Sequence, residues 1–303
     1  MLFEEKYGNS VSYNNINSEQ CCKESKDYLE KIWNIYKDYA PKDFQKKIST
    51  HDDATFNAVI WEMILGCRLL KNGFKLEQID SDDRPDICIK TPTHRIWLEC
   101  YLPSPPNKDS LLTNITTHES NKGTKSKSGG VNSDQNIACC TSGIYKKCAP
   151  IPKSQYSKWQ EKNIINENDI FILAINGKNT HIHALLPDVA KIAYPIGQEY
   201  CELNRDAQII NRGYIYQEEI KKRNKDGKKT SINKCFFTNN NYSHLTGILY
   251  SKEWLDRVKS SINYKEPYIY LPNIYAKNQL NLNISSFAET IKIIEDETGY
   301  SLS

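Results

Sequence analysis

An uninterrupted run of apolar residues near the middle of the chain limits the folds that the chain can adopt. The run spans residues 170–175 (Ile-Phe-Ile-Leu-Ala-Ile), follows Asp169 and ends at Asn176-Gly177. A strand with one solvated face alternates apolar and polar residues, so this run predicts a strand that is buried on both faces. Strands of this kind occur in sheets that helices cover on both sides. We therefore predict an α/β fold.

The bulk composition is that of a globular protein, and it does not identify a partner. Of the 303 residues 39% are hydrophobic, and the formal charge of +3 does not by itself indicate a nucleic-acid-binding protein. The ten cysteines contain no Cys-x-x-Cys pair, which favours free thiols in a reducing compartment. No secretory signal and no apolar stretch of about 18 residues is present in the sequence. These features predict a cytoplasmic protein without a membrane partner.

The clearest helix pattern of the sequence lies at residues 52–72. Asp52 or Asp53 can cap its first turn, and Asn72-Gly73 is a typical C-terminal stop. The apolar residues of this segment recur at helical spacing and share one face: Phe56, Val59, Ile60, Met63, Ile64, Cys67 and Leu70. Glu62 is predicted at the edge of this face, where a functional site can use its carboxylate.

A β-hairpin is predicted to follow this helix. Its strands are residues 86–90 and 95–102, and the segment Thr91-Pro92-Thr93-His94 forms the turn. Because side chains alternate along a strand, Glu99 points to the same side as Trp97 and Tyr101, and Asp86 lies beside it. Two adjacent carboxylates repel each other unless they share a proton or a cation, and Mg²⁺ prefers such oxygen ligands. We therefore predict that Glu62, Asp86 and Glu99 gather into an acidic cluster that is suited to a metal.

The remaining pattern suggests one α/β domain with a β-rich C-terminal part. We predict further helices at residues 18–40, 135–148, 154–163, 187–192 and 285–297. We predict further strands at residues 74–78, 213–220, 230–237, 244–250 and 268–271. Residues 1–17 are predicted to be a loose lead-in and residues 107–134 a mobile loop. The predicted organisation is an N-terminal helical segment (1–49), a core (50–195) and a β-rich C-terminal extension packed on that core (196–303).

The order of these elements resembles the PD-(D/E)xK nuclease superfamily, whose fold is called restriction-endonuclease-like. The matching elements are Glu62 on its helix, Gly73-Phe74, Pro85-Asp86 and Glu99-Cys100-Tyr101. The resemblance is greatest to a poorly characterised bacterial branch. The residues that resemble this branch are Ile96-Trp97-Leu98-Glu99, Thr141-Ser142, residues 170–176 and Tyr194-Pro195-Ile196-Gly197.

The resemblance implies a mixed central sheet flanked by helices and a metal-dependent hydrolysis of phosphodiester bonds. Asp86 and Glu99 would hold one or two Mg²⁺ or Mn²⁺ ions, with the Cys100 carbonyl as a possible third ligand. Glu62 would act on the metal through a water. The expected partner is nucleic acid, DNA rather than RNA.

The sequence departs from the family pattern at Tyr101, which stands where the family has a lysine. A tyrosine with a pKa near 10 carries no positive charge at neutral pH. Some relatives move this lysine to the next helix, where the apolar positions Ile137, Cys140 and Ile144 are followed in phase by Lys147. We choose Lys147 as the catalytic lysine, with Lys146 as the alternate. Branch relatives also carry an arginine near Cys139, which this chain lacks.

Two basic segments are candidate contacts for nucleic acid. The hairpin between residues 213–220 and 230–237 has a tip rich in cations, namely Lys221, Lys222, Arg223, Lys225, Lys228 and Lys229. A loop with Lys122, Lys125 and Lys127 is the alternative. Both would bind phosphates in a salt-dependent manner, and the hairpin is the better candidate because it is the more rigid. Basic runs are, however, commonly plain solvated surface.

Three functional hypotheses follow from the sequence. The first is a metal-dependent nuclease, and the second is an inactive nuclease-like module that binds nucleic acid or protein. The third is a secreted bacterial effector that acts in another cell, which the composition permits without requiring. Whether Lys147 or Lys146 reaches the acidic cluster discriminates between the first two hypotheses. A metal site at His181-x-His183 and a nucleophilic thiol at Cys100 are less favoured, because no third ligand and no histidine partner is evident.

Overall fold

The structure is a computed structural model. It describes residues 1–3, 10–18, 23–78, 83–105, 112–119, 125–131, 133–150, 154–180, 182, 185–206, 208–224, 227–255, 267–281, 284–296 and 299–302. The helices of these ranges are α1 (Val11–Asn17), α2 (Lys23–Tyr36), α3 (Phe44–Ile48), α4 (Asp53–Lys71), α5 (Ser133–Cys148), α6 (Gln155–Glu161) and α7 (Leu186–Ala190).

The strands up to the basic hairpin are β1 (Ile87–Lys90), β2 (Arg95–Tyr101), β3 (Leu112–Glu119), β4 (Lys125–Val131), β5 (Ile170–Asn176), β6 (Ile196–Leu203), β7 (Ile209–Tyr216), β8 (Glu219–Arg223) and β9 (Lys229–Asn233). They are followed by β10 (Gly247–Ser251), β11 (Ile269–Pro272), β12 (Glu289–Thr290), β13 (Ile293–Asp296) and β14 (Gly299–Leu302). The pairs β3–β4, β6–β7, β8–β9 and β13–β14 form two-stranded sheets.

Six strands form a mixed central sheet in the order β1-β2-β5-β10-β11-β12. Strands β2, β5 and β10 run parallel, and β1 pairs antiparallel with β2. Strand β11 pairs antiparallel with β10 and parallel with β12. The sheet therefore ends on one side at β1, so that the β1–β2 hairpin lies at an edge. Strands β10, β11 and β12 come from residues after 195, so the central sheet extends beyond the predicted core boundary and includes part of the C-terminal region.

Helices cover both faces of this sheet. The evidence is that consecutive residues of its strands alternate between two hydrophobic cores, each of which contains helices. In β5, Ile170, Ile172 and Ala174 pack in the core that contains α1–α4. The intervening residues Phe171, Leu173 and Ile175 pack in the core that contains α5–α7. All residues of β5 are buried, as the apolar run predicts. The predicted α/β class is thereby confirmed.

Several predicted elements match the structure closely. The helix predicted at residues 52–72 is α4, and the predicted hairpin is β1–β2. The helices predicted from residues 135 and 154 are α5 and α6. The strands predicted at residues 244–250 and 268–271 are β10 and β11. No helix of the described ranges is long and apolar enough to cross a lipid bilayer.

The helix predicted at residues 285–297 is wrong, because this segment contains β12 and β13. Its buried residues Ala288 and Ile291 lie in different hydrophobic cores, which residues on one helix face would not do. The local composition also favours extended backbone, since Thr290, Ile291 and Ile293 are β-branched. The periodicity of the apolar residues was the misleading signal.

The N-terminal predictions need two corrections. The lead-in predicted at residues 1–17 contains α1, whose first turn is capped by the Ser10 hydroxyl and whose Tyr13 and Ile16 are buried. Only two apolar residues carry its helical spacing, so the pattern was too short to recognise. The helix predicted at residues 18–40 is the shorter α2.

The strand and loop predictions need three more corrections. Residues 74–78 make a single bridge, Leu76 to Ile89, and no strand. The loop predicted at residues 107–134 contains the β3–β4 hairpin. The strand predicted at residues 213–220 is divided between β7 and β8 because the Gln217 N–H donates to the Pro195 carbonyl between them. The basic hairpin β8–β9 is therefore shorter than predicted.

Candidate active site

Helix α4 holds Glu62 on the side that packs against the N-terminal helices. The Asp52 carboxylate caps α4 by accepting the N–H groups of Ala54 and Thr55 at 3.2 and 2.9 Å. Glu62 is 4% exposed, and its Oε1 accepts a hydrogen bond from the Tyr36 hydroxyl at 2.8 Å. Glu62 is thus more deeply buried than its predicted place at the core boundary, because α2 and α3 cover this side of α4.

The space for Tyr36 is created by a glycine of the same helix. A Cβ atom at Gly66 would lie 2.3 Å from Cε2 of the Tyr36 ring, a distance that real Cβ atoms do not show. The tyrosine ring therefore packs directly on the α4 backbone, one turn after Glu62. This packing fixes the hydroxyl that orients the Glu62 carboxylate.

The β1–β2 hairpin brings Asp86 and Glu99 to one place. Ile87 pairs with Leu98, so Asp86 and Glu99 occupy the next position of the antiparallel register. The Asp86 Oδ2 accepts the Cys100 N–H at 2.7 Å, and this contact fixes the orientation of the carboxylate. Arg84 Nη1 donates to the carbonyls of Pro85 and Asp86 at 2.7 and 2.8 Å, which holds the segment that leads into β1.

Helix α5, which packs on the face of the sheet opposite to α4, contributes a lysine to the acidic cluster. The Lys147 Nζ lies 2.7 Å from Oε1 of Glu99, and the Glu99 side chain is 3% exposed. Lys146, the alternate choice, is exposed. The helical phase of Ile137, Cys140 and Ile144 therefore identified which of the two lysines reaches the acids.

Asp86 is the electrostatic centre of the cluster, because its charge acts on both of the other acids. Burial, and then Asp86, raises the pKa of Glu99 from 4.5 to about 8, although the Lys147 ammonium opposes this shift. Burial, and then Asp86, also raises the pKa of Glu62 well above its ordinary value. Burial raises the pKa of Asp86 itself. Two buried carboxyl groups beside the half-buried Asp86 favour the uptake of protons or of a cation.

Two further cations act electrostatically on these acids, and the sequence pattern did not single them out. Burial by itself would lower the pKa of Lys47, but a hydrogen bond to Asp43 and the charges of Glu62 and Asp86 raise it. Arg84 opposes the rise in the pKa of both Glu62 and Asp86. Lys47 comes from α3, outside the predicted nuclease core, so the motif gave no reason to consider it. Arg84 directly precedes Pro85-Asp86 in the sequence, and this position was the available signal.

The backbone of Cys100 faces Asp86, whereas the environment of its thiol disfavours ionisation. The N–H and C=O of a strand residue point to the same side, so the Cys100 carbonyl lies on the side of Asp86. This orientation suits the predicted third ligand. Burial, and then Asp86 and Glu62, raises the pKa of the Cys100 thiol well above its ordinary value, which disfavours a reactive thiolate.

The residues present are compatible with a magnesium ion. Within the ranges that the structure describes, no three His, Cys, Asp or Glu side chains form a ready metal-binding group. Mg²⁺, however, is usually held by one or two carboxylates and several waters. The Glu99 Oε2 is buried and makes no hydrogen bond with a described residue. Asp86 and Glu99, with the Cys100 carbonyl, therefore fit the oxygen ligands of such an ion.

The basic hairpin β8–β9 lies along α5, the helix that carries Lys147. Gln135 Nε2 donates to the Lys221 carbonyl, and the Tyr145 hydroxyl donates to the Asn233 carbonyl, each at 3.3 Å. Lys222 is half-buried and lowers the pKa of the Cys139 thiol, which burial raises. The hairpin is thus attached to the same helix as the candidate catalytic lysine.

The other predicted cations of the hairpin are placed as follows. Lys221, Lys228 and Lys229 are exposed, and Lys221 lies 3.9 Å from Glu219. Lys225 and the side chain of Arg223 lie outside the described residues.

Some alternative candidates cannot be placed. Both histidines of His181-x-His183 lie outside the described residues, as does Lys122. The side chains of Lys125 and Lys127 also fall outside them, although both residues belong to β4.

Comparisons with family models, curated proteins and solved structures find no match to this chain.

Proposed function

We propose that the chain is a metal-dependent nuclease that hydrolyses phosphodiester bonds of nucleic acid. The observation that carries this proposal is the contact of 2.7 Å between Lys147 and Glu99, next to Asp86. It supports a cluster of acids with one amine, which is the combination that the family resemblance implies for catalysis. DNA is the substrate that the resemblance favours.

Asp86 and Glu99, with the Cys100 carbonyl, would hold Mg²⁺ or Mn²⁺. A bound ion would activate a water and neutralise charge on the phosphoryl group. The Asp86 carboxylate is already oriented for this task by the Cys100 N–H. Glu99 Oε2 has no competing hydrogen bond from a described residue, so it is available as a ligand.

Lys147 and Glu62 would assist catalysis without binding the metal directly. The Lys147 ammonium is within reach of any phosphate oxygen that approaches Glu99, where it would stabilise the negative charge of the transition state. Burial by itself would lower the pKa of Lys147, but its interactions with Glu99, including the hydrogen bond, and with Asp86 raise it above its ordinary value, so the amine stays protonated at neutral pH. Glu62, held by Tyr36, would orient a water on the other side of Asp86.

The nuclease proposal is tested by cleavage of plasmid and single-stranded DNA, and of RNA, with Mg²⁺ or Mn²⁺. Asp86→Ala and Lys147→Met should each lower the cleavage rate by at least about 100-fold, the effect of removing one group that stabilises transition-state charge. Lys146→Met, which removes the neighbouring exposed lysine, is the matched control and should cleave like the wild type. Equal activity of wild type and Asp86→Ala, or no activity in either, would contradict the proposal.

An inactive nuclease-like module that binds nucleic acid is the second candidate. It is favoured by Tyr101, which replaces the lysine of the family motif. Binding of nucleic acid that survives Asp86→Ala, without cleavage by any variant under either metal, would support this candidate.

A further inference from the structure

We propose that Tyr101 and Gly143 are positioning residues, which set the register of α5 on β2 so that Lys147 meets Glu99. The importance of this contact for catalysis rests on the proposed function, whereas the contact itself does not. The residue that departs from the family motif is, on this proposal, the residue that places the substitute lysine.

The Tyr101 ring packs directly on the backbone of α5. A Cβ atom at Gly143 would lie 2.4 Å from Cδ1 and 2.6 Å from Cε1 of this ring, so any larger residue at position 143 requires a shift of the helix or the ring. The Tyr101 hydroxyl also donates to the Cys139 carbonyl at 3.3 Å. One side chain of β2 thus contacts two successive turns of α5.

The spacing of residues along α5 and β2 explains how the contact of Tyr101 with Gly143 positions Lys147. Lys147 is four residues after Gly143, about 6 Å further along the helix and on the same face. Glu99 is two residues before Tyr101, about 6.6 Å back along the strand and on the same side. With α5 antiparallel to β2, the placement of Gly143 on Tyr101 therefore brings Lys147 to Glu99, in agreement with the distance of 2.7 Å.

A change of register would remove this match. A displacement of α5 by one residue rotates its side chains by about 100°, which would turn Lys147 away from Glu99. The Tyr101 ring and the missing side chain at Gly143 together prevent such a displacement. A tyrosine that merely filled the core would not couple to one particular lysine.

The experiment measures the reactivity of Lys147 with a water-soluble amine reagent, read out by peptide mass spectrometry relative to Lys146. In the metal-free wild type the pair with Glu99 should protect Lys147. Gly143→Ala should raise the labelling of Lys147 several-fold. Tyr101→Phe, which keeps the ring, and Ser142→Ala, a neighbouring change on the same helix, should leave it unchanged.

Tyr101→Leu removes the ring without adding a clash. It should also raise the labelling of Lys147, and it tests the proposal if Gly143→Ala does not fold. Equal protection of Lys147 in wild type, Gly143→Ala and Tyr101→Leu would overturn the proposal.

Cleavage assays on the same variants separate this inference from the proposed function. Gly143→Ala should lower the cleavage rate in the wild-type background and have no further effect in a Lys147→Met background, because its effect passes through Lys147. If the labelling of Lys147 changes as expected but no variant cleaves nucleic acid, the nuclease proposal is rejected and the positioning role stands. If the wild type cleaves nucleic acid but Gly143→Ala and Tyr101→Leu leave the labelling of Lys147 unchanged, the positioning role is rejected and the nuclease proposal stands.

Discussion

At the residue scale, the site depends on acids whose pKa values are raised by burial and, for Glu62 and Glu99, by the nearby Asp86. Glu99 is 2% exposed and Glu62 is 4% exposed, and each lies within the field of Asp86. The cost of burying these charges is reduced by one hydroxyl, one backbone N–H and one ammonium. Carboxyl groups with pKa values perturbed in this way are typical of functional sites.

The stability of the metal-free protein is expected to fall as the pH rises from about 4.5 to about 8. Burial raises the pKa of Glu99 from 4.5 to about 8, so in this range the folded protein holds a proton that the unfolded chain has released. A state that binds more protons is favoured at low pH, so the free energy of unfolding falls as the pH rises. Thermal unfolding in EDTA at several pH values measures this dependence.

Glu99→Gln should flatten that dependence, because the titrating group is removed. Glu167→Gln is the control: Glu167 is exposed, and Lys277 lowers its pKa, so its loss should not flatten the fall. A pH dependence in Glu99→Gln as steep as that of the wild type would show that this carboxyl group is not the cause.

At the element scale, α4 and the β1–β2 hairpin were predictable because local signals define both. Asp52 and Asn72-Gly73 mark the ends of α4, and Gly73 adopts the left-handed φ of +84° that ends it. The contrasting failure at residues 285–297 shows the limit of such signals. Its apolar spacing permits a helix, but pairing of β12 with β11 is a tertiary interaction that no local pattern reveals.

The cap of α4 provides a test at this scale. Asp52→Ala should lower the free energy of unfolding, because it leaves the Ala54 and Thr55 N–H groups without their acceptor. Asp52→Asn keeps a capping oxygen and should cost much less. Urea unfolding of the three proteins measures both effects. Equal losses in the two variants would mean that the charge matters more than the cap.

At the scale of the whole molecule, side chains from both layers of helices converge near Asp86, which directly precedes the edge strand β1. Glu62 comes from the layer that contains α4, and Lys147 comes from the layer that contains α5. Asp86, at the edge strand β1, lies between them. The N-terminal helices add Tyr36 and Lys47, so the site uses more of the chain than the predicted core.

The basic hairpin is expected to bind the phosphates of the substrate. Lys228→Glu combined with Lys229→Glu should weaken binding, measured in an Asp86→Ala background that is expected not to cleave. The slope of log affinity against log salt should also fall by about 0.9 for each phosphate that the variant no longer neutralises. The pair Lys31→Glu and Lys37→Glu, at exposed positions in α2 and directly after it, changes the charge equally and is the control. Equal weakening by both pairs, measured by fluorescence anisotropy, would assign the effect to overall charge.

The sequence by itself determined the elements whose signals are local, namely α4, the β1–β2 hairpin, α5 and the buried strand β5. It also determined the phase that selects Lys147 over Lys146, because helical periodicity is a property of adjacent turns. Only the tertiary structure decided that Tyr36 holds Glu62, that Lys47 and Arg84 join the acids, and that Tyr101 packs on Gly143. These contacts join residues that are distant in the chain, and their geometry depends on how whole elements pack.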